Sequence, residues 1–157
     1  MALVKGENAF STVEESSAYF TDRLDSSAWF ATTPERQAQA LVTASSMLSE
    51  LNWAGYAVSE SQELAFPRSG SYFDPRVGVL VDMTPTPKRI LRAQHDLALH
   101  LLSNEGILDD TGTVDSLSIT GVNLSNIRAP ARIPLAVKNL VRPLLVNQGS
   151  NAWWRAN

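Results

Sequence analysis

The 157-residue chain combines 44% hydrophobic residues with 13 basic and 16 acidic residues, for a net charge of −3, and it has no cysteine. This length and composition predict one folded domain over residues 1–157 and exclude disulfides, thiolate metal sites and a cysteine nucleophile. The acidic balance counts against a protein whose main task is to grip nucleic-acid phosphates, because such proteins carry a basic excess.

Two helices are predicted in the first third of the chain, after an extended arm over residues 1–11. Residues 12–15, Thr-Val-Glu-Glu, have the form of a capping box and begin the first helix. A short turn follows and is predicted to present Trp29 and Phe30 to the core. The second helix begins at residues 33–34, Thr-Pro, where a capping residue precedes proline at the first helical position.

Residues 59–85 lack helical periodicity and contain three prolines and two glycines, so they are predicted to form a long loop. Two short strands could form within it, at residues 64–68 and 77–81. A loop of this length in a compact domain usually has a function or pairs with a neighbouring molecule.

The stretch from Thr86 to Asn104 predicts a central helix, with Thr86 as its cap and Pro87 at the first helical position. Its apolar stripe is wide, which predicts burial on more than one side. Its first turns also hold three basic residues, Lys88, Arg89 and Arg92. The helix dipole disfavours positive charge at this end, so we expect these side chains to face a nearby acid or a partner.

The last third of the chain predicts a short β element, a final helix and a tail. Apolar and polar residues alternate on both sides of Gly121, with a change of phase that predicts two short strands. A final helix follows Pro134 and should be kinked or ended by Pro143. Residues 149–157 form a tail without periodicity. The predicted fold is mainly α: a small helical bundle with a short β-hairpin, an extended loop and a C-terminal arm.

The two histidines, His95 and His100, lie on the predicted central helix about 140° apart around its axis. This spacing does not allow them to chelate one metal together, as histidines four residues apart do. His100 follows Asp96 by one turn, which predicts an ion pair in preference to a catalytic role.

Motifs of common enzymes are missing from the sequence. No serine lies in a G-x-S-x-G or S-x-x-K motif, and there is no glycine-rich phosphate loop. An acidic cluster, Asp109, Asp110 and Asp115, lacks the register of a calcium loop and predicts a solvated turn. We therefore expect no enzymatic activity, no cofactor and no bound metal. No apolar run has the length of a signal peptide or membrane span, which predicts a soluble protein made in a cytoplasm without a membrane partner.

Two groups of aromatic and basic residues are candidate contacts to another protein: Phe66, Pro67, Arg68, Tyr72 and Phe73 in the loop, and Trp153, Trp154 and Arg155 in the tail. Aromatic rings near arginine could also stack on single-stranded bases. Alternatively, Phe66 fills the core while Tyr72 and Phe73 serve the loop, and the tail packs on its own domain or is disordered. Adjacent tryptophans in an extended tail point to opposite sides, and exposed tryptophans are typical anchors of interfaces.

The order of several motifs resembles a family of small tailed-phage proteins, the head-to-tail connectors or neck adaptors, whose members often carry the label DnaT-like single-stranded-DNA-binding protein. The motifs are Thr12-Val13-Glu14-Glu15, Ala18-Tyr19-Phe20, Trp29, Glu35-Arg36, Trp53-Ala54-Gly55, Ala65-Phe66-Pro67-Arg68, Leu97-Ala98-Leu99 and Pro143-Leu144-Leu145. Phe66 stands where the family has Trp, and Asp96 where it has Glu.

The resemblance implies a helical core with a small β element, assembled as a ring of twelve copies. Such a ring would bind the portal protein on one side and the next neck or tail component on the other. DNA would pass through the lumen as cargo without being gripped. The protein would reside in the neck of the virion, and in the host cytoplasm during assembly. The alternative is a single-stranded-DNA-binding replication protein, as the label states.

Overall fold

The structure, a computed structural model, describes residues 2–108, 116–119, 122–125 and 131–146. Within these residues five α-helices form: α1 (Val13–Thr21), α2 (Ser27–Phe30), α3 (Pro34–Ser49), α4 (Lys88–Ser103) and α5 (Leu135–Val141). They are accompanied by short strands: β1 (Tyr56–Ala57), β2 (Arg68–Ser69), β3 (Ser71–Asp74), β4 (Val79–Asp82), β5 (Ser116–Ile119) and β6 (Val122–Ser125). The fold is therefore mainly α, a small helical bundle with short β-hairpins, as predicted.

Helix α4 lies at the centre of the bundle, where it packs against α3 on one side and α5 on another. Leu41 and Leu48 of α3 and Leu97 of α4 are fully buried and belong to the same core cluster. The predicted burial of α4 on more than one side is confirmed by its buried residues, Ile90, Ala93, Gln94, His95, Leu97 and Ala98.

The caps of the first two long helices are those that the sequence predicted. At α1 the amide of Glu15 donates to the Thr12 hydroxyl, and the amide of Thr12 donates to the Glu15 carboxylate. At α3 the Thr33 hydroxyl accepts from the amide of Arg36, and Pro34 occupies the first turn. Both arrangements satisfy backbone donors that have no partner within the helix.

Helix α4 begins one residue later than predicted, and Thr86 does not cap it. Pro87 has an extended backbone conformation, with ψ of 144°, and is itself the residue that precedes the helix, without a side-chain cap. Lys88 is therefore the first helical residue.

Two predictions about the first third of the chain are wrong. Residues 2–11 are not an extended arm, because they fold into a turn in which Gly6 donates to the carbonyl of Ala9. Phe10, just after this turn, is 5% exposed and belongs to the core. In α2, Trp29 is fully buried as predicted, but Phe30 is 54% exposed, because α2 is one turn long and buries only one side.

The strands pair as three antiparallel two-stranded sheets, β1 with β2, β3 with β4 and β5 with β6. The last pair, in which Ile119 lies opposite Val122, confirms the hairpin predicted around Gly121. Within residues 59–85, β4 overlaps the predicted strand at 77–81, whereas β3 was not predicted. The prediction of a strand at 64–68 is wrong except at Arg68, which begins β2.

Proline ends the last helix as predicted. Helix α5 stops at Val141 and continues as a 3-10 turn that contains Pro143. The chain then returns to the end of α3, where Leu145 forms an antiparallel bridge with Trp53. The predicted tail, residues 149–157, lies outside the described residues.

Candidate interaction surface

The hairpin of β3 and β4 presents apolar side chains to solvent. Phe73 is 56% exposed, Val77 49%, Val79 56% and Leu80 70%. Phe73 lies directly opposite Leu80 in the ladder, so their side chains share the outer face of the hairpin, whereas Val79 lies opposite Asp74 on the other face and Val77 belongs to the turn. We call these four residues the hairpin surface. Exposed apolar groups that are neighbours, in contrast to scattered single ones, are typical of surfaces that contact another protein.

The inner face of the same hairpin is fixed to α4 by an ion pair. Asp74, whose side chain is 3% exposed, accepts from the guanidinium of Arg89 at 2.9 Å and from the amide of Arg76 at 3.0 Å. The hydrogen bond from Arg89 is the largest reason that the pKa of Asp74 is lowered, to about 2. Arg89 also donates to the carbonyl of Leu140 in α5. Arg89 therefore holds the hairpin, and with it the hairpin surface, against α4 and α5. The prediction that the basic residues at the start of α4 face a nearby acid is confirmed for Arg89.

Arg68 fixes the segment that leads into this hairpin. Its guanidinium donates to the carbonyls of Ala54, Gly55 and Ala65 at 2.8, 2.7 and 3.2 Å. Desolvation of the partly buried side chain lowers the pKa of Arg68. A Cβ on Gly55, which has φ of +70°, would lie 2.2 Å from the carbonyl oxygen of Ser69. Only glycine fits where these two segments meet.

The structure separates the loop residues that were predicted to contact another protein. Phe66 and Tyr72 are 2% and 6% exposed and belong to the core. For Phe66 this confirms the alternative interpretation, in which its side chain fills the core. Pro67 and Arg68 are half-buried, and the charged group of Arg68 is engaged by its own chain. Phe73 alone among these five lies on the hairpin surface.

The predicted tail contacts, Trp153, Trp154 and Arg155, lie outside the described residues, and their contact with another protein stays a prediction.

Sequence reasoning missed the other members of the hairpin surface. The run Val77-Gly78-Val79-Leu80-Val81 was interpreted as a strand, but its exposure was not inferred. A signal was available, because an uninterrupted apolar run places apolar side chains on both faces of a strand. A two-stranded hairpin on the surface can bury only one of those faces.

A groove of about 380 Å³ beside the hairpin carries basic side chains. Its lining includes Arg76, Lys88, Arg89 and Arg92, together with Asp74 and Asp82. Arg89 is engaged with Asp74, whereas Lys88 and Arg92 are exposed. Such a groove can hold an anionic group, because exposed ammonium and guanidinium groups pair with phosphate or carboxylate oxygens.

A buried polar network joins the segment before α1 to α3 and α4. The hydroxyl of Ser11 donates to Gln94 Oε1 at 2.7 Å, and Gln94 Nε2 donates to Ser45 Oγ and to the carbonyl of Leu41. Because that hydroxyl proton is used by Gln94, the Ser11 oxygen accepts the proton of His95 Nε2, 2.9 Å away. Burial lowers the pKa of His95 to about 4, so the ring is neutral near pH 7.

The predicted ion pair between His100 and Asp96 is wrong. Asp96 accepts from the hydroxyl of Tyr19 at 3.0 Å and lies 3.6 Å from the guanidinium of Arg23. His100 Nε2 instead lies 2.7 Å from the carbonyl oxygen of Ala131. Helix α1 and the residues just after it thus supply these two partners of the Asp96 carboxylate, and burial raises the pKa of Asp96.

Among the described residues, no group of three or more histidine, aspartate or glutamate side chains is arranged to hold a metal ion. The predicted acidic turn with Asp109, Asp110 and Asp115 lies outside those residues. No helix that the structure describes is both long and apolar enough to cross a membrane.

Comparison with known families covers nearly the whole chain. Residues 2–156 match the model of the family described as "Putative DnaT-like ssDNA binding protein". The chain belongs to this DnaT-like family. This is the label that members of the phage connector group, which the sequence resembles, often carry. The matched residues include all those of the hairpin surface and of the basic groove. No curated protein and no solved structure matches this DnaT-like chain.

Proposed function

We propose that this DnaT-like chain is a structural head-to-tail connector of a bacteriophage neck, without enzymatic activity. In this account a ring of copies binds the portal protein and joins it to the next neck or tail component, and DNA passes through the lumen. The protein resides in the virion neck, and in the host cytoplasm during assembly. The observation that carries the proposal is the hairpin surface, a group of exposed apolar side chains on a hairpin that an ion pair joins to α4.

The hairpin surface suits contact with another protein subunit better than contact with DNA. Phe73 and Leu80 offer apolar area that is stabilised by burial, at about 25 cal/mol per Å² removed from water. Among the residues that the structure describes, each strand of a two-stranded sheet also has one edge without a strand partner, to which a neighbouring subunit can add backbone hydrogen bonds.

The overall charge agrees with a channel that lets DNA pass. A net charge of −3 gives a ring of such chains an acidic balance. Tight contacts with phosphates would retard the DNA, because each one neutralises a phosphate and releases counterions.

The proposal is tested by sedimentation of the purified chain with portal rings of the same virus. We expect the unchanged chain to sediment with the rings and Leu80→Lys to remain in the supernatant, since a buried lysine charge weakens an apolar contact. The matched control is Leu24→Lys, because Leu24 is 92% exposed but lies outside the hairpin surface. Failure of the unchanged chain to sediment, or equal sedimentation of both variants, would contradict the proposal.

A second candidate function is binding of single-stranded DNA, which the family description and the basic groove favour. Lys88 and Arg92, the exposed basic residues of the groove, would contact the phosphates of the strand.

Titration of a labelled oligonucleotide across salt concentrations tests this candidate. Under it, binding is tight at moderate salt, and Lys88→Glu lowers the salt slope by about one. The control is Arg36→Glu, which has the same change of charge but lies beside Glu105, beyond the other end of α4. The connector account predicts weak binding that neither variant changes.

A further inference from the structure

A second cavity, of about 660 Å³, lies between the end of α3 and the segment around β1 and β2. Its volume is within the range of pockets that bind ligands in proteins. The apolar part of its lining includes Leu51, Trp53 and Leu64. Trp53 and Leu64 are members of the core cluster, so the cavity wall is fixed by the packing of the domain.

The rim of this cavity is acidic. Glu60 and Glu63 both line it, and both are exposed. Among the described residues neither carboxylate has a basic partner within ion-pair distance. Arg68 also lines the cavity, but its guanidinium is taken up by three backbone carbonyls. The cavity therefore fits a segment that combines an aromatic side chain with a positive charge.

The chain itself leads such a segment to this place. Val146 lines the cavity, is 50% exposed, and is held there by a hydrogen bond from its amide to the carbonyl of Asn52. The tail that follows contains Trp153, Trp154 and Arg155. The seven residues from 147 to 153 span at most about 23 Å, enough to reach across the cavity from Val146.

We propose that this cavity binds the tail of the same chain. One of the two adjacent tryptophans lies against Leu51, Trp53 and Leu64, and Arg155 pairs with the acidic rim. The other tryptophan points away and remains available to another protein, since neighbouring side chains of an extended segment face opposite sides. A short tether favours the same chain over a second copy, because it holds the tail at millimolar effective concentration. This inference does not depend on the connector function.

Disulfide trapping in the full chain tests the contact, and the absence of native cysteine leaves no competing thiol. One cysteine replaces Ser59, an exposed residue of the cavity lining, and the second replaces Ala152, next to Trp153. The control pair is Asn139→Cys with Ala152→Cys, because residue 139 is exposed, lies much nearer to the tail in the sequence than Ser59 does, and does not line the cavity.

We expect the Ser59→Cys pair to form an intramolecular disulfide about tenfold faster than the control pair, a difference of about 1.4 kcal/mol. Addition of Glu60→Lys and Glu63→Lys should slow this reaction, and a further Arg155→Glu should restore it. Equal rates in the two pairs would overturn the proposal. A disulfide formed mainly between two chains would overturn it as well, because the occupant would then be a second copy.

Discussion

At the scale of single residues, the polar network around His95 links the pH of the solution to the stability of the fold. In an unfolded chain a histidine has a pKa of about 6.5, whereas burial lowers the pKa of His95 to about 4. Between these values the unfolded state binds more protons, so the free energy of unfolding rises with pH across this window. The expected rise is at most about 3 kcal/mol.

Urea unfolding at several pH values between 4 and 6.5 measures this rise. His95→Gln removes the titrating ring but retains an N–H donor for Ser11, so the variant should lose the rise. Asp96, whose raised pKa has the opposite effect on stability, is present in both chains and does not affect their difference. The control His100→Gln should keep the pH dependence. A His95→Gln variant with an unchanged slope would show that the ring is not buried as described.

This network could not be predicted from the sequence. Ser11 and Gln94 are separated by 83 positions, and local patterns carry no information about pairs so far apart. The predicted pair of His100 with Asp96 is wrong for the same reason. The Asp96 carboxylate accepts from Tyr19 of α1, which lies 77 positions earlier in the chain. The caps at Thr12 and Thr33 were predictable, since a cap depends on residues within one turn.

At the scale of elements, the structure predicts that the β3–β4 hairpin can detach from the bundle without unfolding it. Arg89 joins the hairpin to α4 and α5 through Asp74 and Leu140. Arg89→Met should leave the Asp74 carboxylate without its main partner, so the hairpin opens more often while the α3–α4 core stays closed.

Hydrogen exchange measured by mass spectrometry reports this opening. The amides of Tyr72 and Val81, which lie opposite each other in the ladder, should exchange faster in Arg89→Met. Those of Leu41 and Leu97 in the core should be unchanged. Lys88→Met is the control, because Lys88 is exposed and is not bonded to the hairpin. Uniformly faster exchange throughout Arg89→Met would mean that the hairpin is an inseparable part of the core.

The β3–β4 hairpin was harder to predict from the sequence than the long helices. Helices α3 and α4 were foreseen because apolar residues recur along them at helical spacing over four turns. Strand β3 was missed because it has only four residues, Ser71–Asp74, between a glycine and a proline. Four residues are too few to show a clear alternation of apolar and polar side chains. Which of its side chains face solvent depends on where the hairpin docks, and this in turn depends on the distant pair of Asp74 with Arg89.

At the scale of the whole molecule, three features support the proposed connector function: an acidic net charge, a helical core and the apolar hairpin surface. Membership of the DnaT-like family is established by the match over residues 2–156. The connector account and the DNA-binding account place their contacts on adjacent surfaces of α4 and its hairpin. They differ in what lies against those surfaces, a protein subunit or a phosphate backbone.

Cryo-electron microscopy of portal rings incubated with the full chain shows whether the protein is a connector. We expect an added ring of copies on the portal, in which Phe73 and Leu80 are covered by protein and the lumen is open. Bare portal rings would contradict it, and so would an added ring whose hairpin surface faces solvent on every copy.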